Sequence, residues 1–146
     1  MLKKTVYLGL SVDTVHHGHI NLIKEGLKYG KILVGLISDK AIAQNKRLPL
    51  LNYNQRKLII ENISGVSKVV LQNSWDYSEN LKKYKPEFMI HGDDWRKGSQ
   101  LMLRNKAQKI LKKYGGKLIE VPYTKGISST ALADQQYSLG ITPELR

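Results

Sequence analysis

Two stretches of this 146-residue chain hold the side chains best suited to gripping a run of phosphates. The first is Asp13-Thr14-Val15-His16-His17-Gly18-His19, set between an apolar run and a segment with helical spacing. His16 and His19 are three apart, so on the first turn of a helix they share one face. Gly18 removes a side chain where an anion must come close, and a helix N-terminus adds free N–H groups and the positive end of its dipole. Two imidazoles there can donate hydrogen bonds to oxygens whose charge grows during attack at phosphorus. Zinc ligation and ordinary helix-start histidines are the competing readings. Zinc requires a third ligand, and an i,i+3 pair in a chain without cysteine supplies none nearby. The second stretch is Tyr123-Thr124-Lys125-Gly126-Ile127-Ser128-Ser129-Thr130. Its Ser128, Ser129 and Thr130 would cap a last helix and turn hydroxyls and N–H groups toward phosphate oxygens. A plain Ser/Thr cap is the bland alternative.

Apolar strands alternating with helical periods are what must position these groups. Val6–Val12 and Ile32–Ser38 read as strands, Val69–Leu71 begins a third, and Phe88–His91 and Leu118–Val121 complete five. Between them, helices are expected over His19–Tyr29 (stopped by Gly30), Asn54–Ile63, Ser78–Tyr84 and Leu101–Tyr114, with one more after Ser128. This order predicts an α/β fold, a doubly wound, Rossmann-like parallel sheet of five strands with helices on both faces. In such sheets a ligand sits outside the carboxyl ends of the strands. The segments there are Ser11–His19, Ser38–Leu51, Gln72–Trp75, His91–Lys97 and Pro122–Thr130, and they hold both tryptophans, Asp93, Asp94 and most of the histidines. That concentration is what an active site produces.

Composition narrows the class. The chain fits one domain, over 1–138, with 139–146 as a tail or linker. Zero cysteine excludes a disulfide scaffold, a thiolate metal site and a cysteine nucleophile. No apolar run approaches the ~20 residues of a membrane span, and the N-terminus lacks a signal peptide's apolar core, so a cytoplasmic protein is expected. Twenty-four Lys and Arg against 12 Asp and Glu give a net charge of +12. This favours polyanionic partners. The basic residues are dispersed, however, and Lys106, Lys109, Lys112 and Lys113 on one helix read as a solvated face. No aromatic interleaving marks a nucleic-acid binder.

The first stretch resembles the HxGH signature of the nucleotidyltransferase superfamily, and the second resembles its RTxGISTT signature. Three further segments resemble the cytidylyltransferase branch. These are His91-Gly92-Asp93-Asp94-Trp95, like the GDDW of glycerol-3-phosphate cytidylyltransferases, Asn54-Gln55-Arg56-Lys57-Leu58-Ile59, and Asn73-Ser74-Trp75. The chain departs from that pattern at Tyr123, where the branch has arginine, at Ser64, also an arginine position, and at Leu10-Ser11, which replace Gly-Thr. Lys46-Arg47-Leu48-Pro49, the His91–Gln100 segment and the tail Gly140–Arg146 are closer to cytidylyltransferase domains attached to phosphoenolpyruvate mutase. That similarity implies a phosphonate acceptor, such as 2-hydroxyethylphosphonate, and a link to a mutase domain.

The resemblance implies CMP transfer from CTP to a small acceptor, with release of pyrophosphate. His16 and His19 would contact the α- and β-phosphates, with Leu10, Ser11, Gly18, Gly126, Ile127, Ser128, Ser129 and Thr130 around the nucleotide and Thr130 also catalytic. Asp94 and Trp95 would serve the nucleoside; Asp93 or Asp94 reads the cytosine amino group or fixes the loop, and Trp95 and Trp75 are equally readable as core. Lys46 and Arg47 are candidates for neutralising the acceptor and the pyrophosphate, with Asp13, Arg56 and Trp75 beside them, against the alternative of a mobile basic loop. A magnesium ion bridging the phosphates is expected, with Asp13 its conspicuous nearby ligand. A homodimer is also implied. An alcohol-phosphate cytidylyltransferase, an adenylyltransferase and a non-catalytic nucleotide- or nucleic-acid-binding module are the alternatives.

Overall fold

β-Branched and leucine-rich runs supply the strands, and the segments between them carry apolar residues three and four apart. The computed structural model describes residues 3–12, 14–124, 127–128 and 132. In chain order it shows β1 (Thr5–Leu10), α1 (His17–Leu27), β2 (Lys31–Ile37), α2 (Asp39–Ala43), α3 (Tyr53–Glu61), β3 (Val66–Gln72), α4 (Ser78–Tyr84), β4 (Phe88–Gly92), α5 (Leu101–Lys113) and β5 (Lys117–Val121). Two 3-10 turns, Asp93–Arg96 and Gly98–Gln100, lie between β4 and α5. The strands form one sheet in the order β3-β2-β1-β4-β5, every pair parallel. The expected doubly wound five-stranded sheet is what forms.

Each face of the sheet buries its own core. On one side Val6, Leu8, Ile32 and Val34 pack with Ile23 of α1 and Ile60 of α3. On the other, Tyr7, Leu33 and Met89 pack with Leu81 of α4 and Ala107, Ile110 and Leu111 of α5. Among the described residues, no helix is long and apolar enough to cross a membrane.

The register explains where a ligand can enter. β1 pairs with β2 along its whole length, from Thr5 with Lys31 to Leu10 with Leu36. It pairs with β4 only at Val6–Phe88 and Tyr7–Met89, although both strands run on beyond that point. Their carboxyl ends therefore part. A crevice opens where the strand order reverses, the place such folds use for ligands.

Several boundaries differ from expectation. β1 stops at Leu10, and Val12 takes a left-handed φ of 48° that turns the chain sharply toward α1. α1 begins at His17 rather than His19, because His16 caps it. The five-residue α2 was not expected. It is capped by Ser38, whose side chain accepts the Ala41 N–H at 3.2 Å. Of the helix expected after Ser128, the described residues show the Leu132 N–H donating to the Ser128 carbonyl at 2.9 Å. The boundary at 138 and the tail lie outside the described residues.

A buried polar network ties the sheet to the β3–α4 loop. The Tyr7 hydroxyl donates to Gln72 Oε1, and Gln72 Nε2 donates to the Ser74 carbonyl at 2.8 Å. Asn80 Nδ2 donates to the Tyr7 hydroxyl and to the Leu71 carbonyl, each at 3.0 Å. Burial raises the Tyr7 pKa, so the phenol keeps its proton. Asn80→Ala leaves both acceptors without this donor. It is expected to cost about 1–3 kcal/mol, read as a lower urea midpoint at unchanged slope.

Candidate active site

The start of α1 is built by its own histidines. His16 is the N-cap in an extended conformation, and its Nδ1 accepts the Gly18 N–H at 3.1 Å. In return the His16 N–H donates to Nδ1 of His19, also at 3.1 Å. A backbone N–H can only donate, so both Nδ1 atoms are bare and each neutral ring carries its proton on Nε2. The rings stack with centroids 3.9 Å apart. Gly18 is needed here as well, since a Cβ would stand 2.8 Å from His16 Cε1. Burial, then His16, then Lys46 hold His19 down to a pKa of about 4; burial and His17 lower His16. At neutral pH the pair therefore presents two Nε2–H donors without spending net charge.

These rings line a cleft of about 950 Å³ at the carboxyl edge of the sheet. Leu8, Gly9, Leu10 and Ser11 at the end of β1 line it, as do Thr124, Ile127 and Ser128. Asn21 Nδ2 on α1 donates to Thr124 Oγ1 at 3.3 Å, so the helix that the first stretch begins touches the second stretch. Lys46, Arg47 and Trp75 complete the wall beyond β2 and β3. Lys46 Nζ lies 5.2 Å from the centre of the Trp75 ring, and Trp75 Nε1 donates to the Ala41 carbonyl at 2.8 Å. The unforeseen α2 thus anchors the tryptophan under the lysine. Asp13, Gly126, Ser129 and Thr130 lie outside the described residues.

An arrangement of neutral donors, a helix N-terminus and two cationic side chains around one cleft suits a polyphosphate. A family model described as cytidylyltransferase-like matches residues 8–135. The chain belongs to that family. Glycerol-3-phosphate cytidylyltransferase of Bacillus spizizenii is 29% identical over 140 residues, covering 94% of this chain and 100% of the relative. The Staphylococcus aureus enzyme of the same name is 28% identical over 93% of this chain. Ethanolamine-phosphate cytidylyltransferase of Arabidopsis thaliana is 27% identical over 86% of this chain, which spans 30% of that longer protein. Among solved structures, the lipopolysaccharide core biosynthesis protein of Thermoplasma volcanium superposes with a TM-score of 0.71 at 22% identity, over 84% of this chain and 99% of that one. The three cytidylyltransferases carry alcohol phosphates in their names, and none of those names carries the phosphonate acceptor or mutase link that the tail and the Lys46–Pro49 segment had suggested.

Two residues of this cytidylyltransferase-like protein stand elsewhere than expected. Arg56 is not in the cleft lining but 2% exposed. Its Nη1 donates to the carbonyls of Ser11 (2.5 Å) and Ile37 (3.0 Å), and its Nη2 pairs with Asp39 at 2.6 Å. That correction makes it a strut joining the ends of β1 and β2 to the start of α2, its guanidinium turned into the protein and away from the cleft lining. Trp95 is likewise fully buried and outside the lining, while its neighbour Asp94 lines the cleft. The Trp95 Nε1–H donates to Glu120 at 2.8 Å, and Arg104 grips the same carboxylate through Nε (2.9 Å) and Nη2 (2.8 Å). Arg104 first, with Arg96 and Trp95, pulls Glu120 down to a pKa of about 2.

Other groups were not foreseen. His91, Tyr77 and Asn21 line the cleft. Only His91 carried a sequence signal, its place at the end of a strand. Tyr123, where the family pattern has arginine, donates its N–H to Asp93 Oδ1 at 3.0 Å and its hydroxyl to the Ile127 carbonyl at 3.2 Å. It braces the second signature but brings no charge.

The depressed histidines set a pH dependence. Unfolded, they titrate near pH 6.5; folded, His19 stays neutral to about 4. Between those values the unfolded chain binds more protons, so stability falls as pH falls. The urea midpoint is expected to drop from pH 7 to pH 5, and His19→Asn to flatten that drop. Glu120 does not interfere, because its contribution is lost only below pH 4.5.

Proposed function

We propose that this protein transfers the cytidylyl group of CTP to the phosphate of a small alcohol phosphate. The observation that carries the reading is the presence of the HxGH-type histidines and of Thr124, Ile127 and Ser128 in the lining of one cleft, in a chain of the cytidylyltransferase-like family. An oxygen of the acceptor phosphate attacks the α-phosphorus. A new P–O bond forms as the bond to the bridging oxygen of the β-phosphate breaks, and pyrophosphate leaves with that electron pair. The attacking oxygen is already anionic at neutral pH, so no strong base is required. The task is to bring two polyanions together and to stabilise the crowded phosphorus.

His16 and His19 supply Nε2–H donors on one side of the triphosphate, and Ser128 with the α1 N-terminus brackets it. Lys46 and Arg47 sit on the β2–β3 side, where the acceptor phosphate is placed. The described lining on that side (Ile37, Ile42, Lys46, Arg47, Pro49, Trp75, Tyr77) holds no carboxylate. An ammonium-bearing alcohol phosphate therefore finds no carboxylate among the described residues of that side, and a neutral polyol phosphate suits that side better. Magnesium is proposed to arrive with the nucleotide. The described residues hold no cluster of three or more His, Cys, Asp or Glu to anchor it, and no step is derived through it.

Pyrophosphate release tests this with CTP or ATP and glycerol 3-phosphate, ethanolamine phosphate or 2-hydroxyethylphosphonate. CTP with glycerol 3-phosphate is expected to be fastest. Turnover confined to the phosphonate would overturn the acceptor, and preference for ATP would overturn the nucleotide. His16→Ala and His19→Ala should each lower kcat about a hundredfold or more, since one such donor contributes ~3 kcal/mol to the barrier. Lys46→Ala should raise the acceptor's KM more than that of CTP; the reverse ordering would move the acceptor to another wall.

A further inference from the structure

The α4–α5 side of the molecule carries a charge for which the transfer described above has no use. Along α5, Met102, Lys106, Lys109 and Lys113 are spaced four, three and four apart and so form one stripe, with Lys112 beside it. These side chains are exposed, while Ala107, Ile110 and Leu111 on the opposite side of the helix are buried. None of the lysines lines the cleft. α4 packs beside α5 through Leu81, and Lys106 Nζ reaches Asp76, just ahead of α4, at 3.3 Å. α4 adds Lys82 and Lys83, both exposed.

A surface built for solubility alone intersperses its signs. α5 holds no aspartate or glutamate, so Lys109 meets Lys106, Lys112 and Lys113 as like charges at helical spacing, and each such pair weakens the helix. The carboxylates nearby do little to offset this. Asp76 is taken by Lys106, Glu87 accepts the Thr5 N–H at 2.7 Å, and Glu79 stands against the remaining lysines. The sequence shows the α5 lysines as a solvated face; the fold gathers those of two helices into one field. A field of one sign, kept at a cost to the helix that bears it, calls for a partner of the other sign.

The make-up of the face selects among anionic partners. Its cations are all lysine, point charges on flexible stems that suit a diffuse negative surface. The neighbouring arginines, whose planar forks suit the phosphates of a nucleic acid, are turned elsewhere: Arg96 and Arg104 both grip Glu120. Rings on which bases could stack are also missing from it, since Tyr84 and Tyr114 pack into the core and the Tyr114 hydroxyl donates to the Pro86 carbonyl at 2.8 Å. What the start of α5 does present is apolar, with Met102 66% and Leu101 37% exposed. A lipid headgroup layer accepts such side chains beside lysines. We propose that the α4–α5 face docks on the surface of an anionic phospholipid bilayer. The inference does not depend on the identity of the substrates.

The test is sedimentation with vesicles of phosphatidylcholine alone or of an equimolar mixture with phosphatidylglycerol. The wild type is expected to bind the mixed vesicles and not the neutral ones, and to bind less tightly at about 0.15 M salt than at low salt. Lys109→Glu/Lys113→Glu should lower the affinity about thirtyfold or more, since a lysine near such a surface contributes about fivefold. Lys24→Glu/Lys31→Glu makes the same change of net charge on exposed lysines of α1 and β2, and should lower it far less. The α5 pair relieves like-charge contacts, so its urea midpoint should equal or exceed the wild type's. Lys109→Gln/Lys113→Gln, which only neutralises, should fall between the α5 reversal and the control. A wild type that ignores the mixed vesicles, an α5 pair that binds as the wild type does, or a control pair that loses as much overturns the assignment. An oligonucleotide that displaces the protein from the vesicles at equal phosphate concentration also overturns it, and makes nucleic acid the partner of this face.

Discussion

A helix N-terminus exposes N–H groups that have no partner within the helix. In this protein the side chains that answer them are the same ones that line the cleft. His16 and His19 each spend Nδ1 on the backbone at the start of α1, and that expenditure decides where their remaining protons sit. The tautomer is fixed by the fold itself, so two donors are set in place in the cleft lining, an arrangement that spares reorganisation for any anion that binds there. The depressed pKa values belong to the same geometry, since a buried, stacked pair of rings cannot readily take up charge.

Around this pair, buried charges set the positions of loops. Arg56 holds two strand ends and Asp39 together from inside the molecule. Glu120 gathers Trp95, Arg96 and Arg104, and so fixes the turn that carries Asp94. Buried ion pairs contribute little net stability, because desolvation offsets much of their attraction. Their value here is placement: each joins segments that a hydrophobic contact would leave free to slide.

The strand-and-helix alternation was legible in the chain because periodicity is a local property. The five strands and four long helices followed from it with errors of a few residues. α2 escaped because five residues are too few to show a helical period. The start of α1 was misplaced because histidine is not a usual cap, and only the Gly18 and His16 N–H bonds reveal it as one. Arg56 read as an available cation for a similar reason. An arginine on an exposed helix and one turned inward look the same until Ser11, Ile37 and Asp39 are in place.

By itself the sequence determined which residue types stand at the carboxyl edge of the sheet, since strand order and loop position follow from apolar spacing and from the parallel fold it requires. Only the tertiary structure decided which of them line the cleft. His91 on Trp95, Lys46 over Trp75 and Asn21 against Thr124 join residues from separate elements. Such contacts depend on how helices seat on the sheet and on where β1 and β4 part, and no window of neighbouring residues contains that distance.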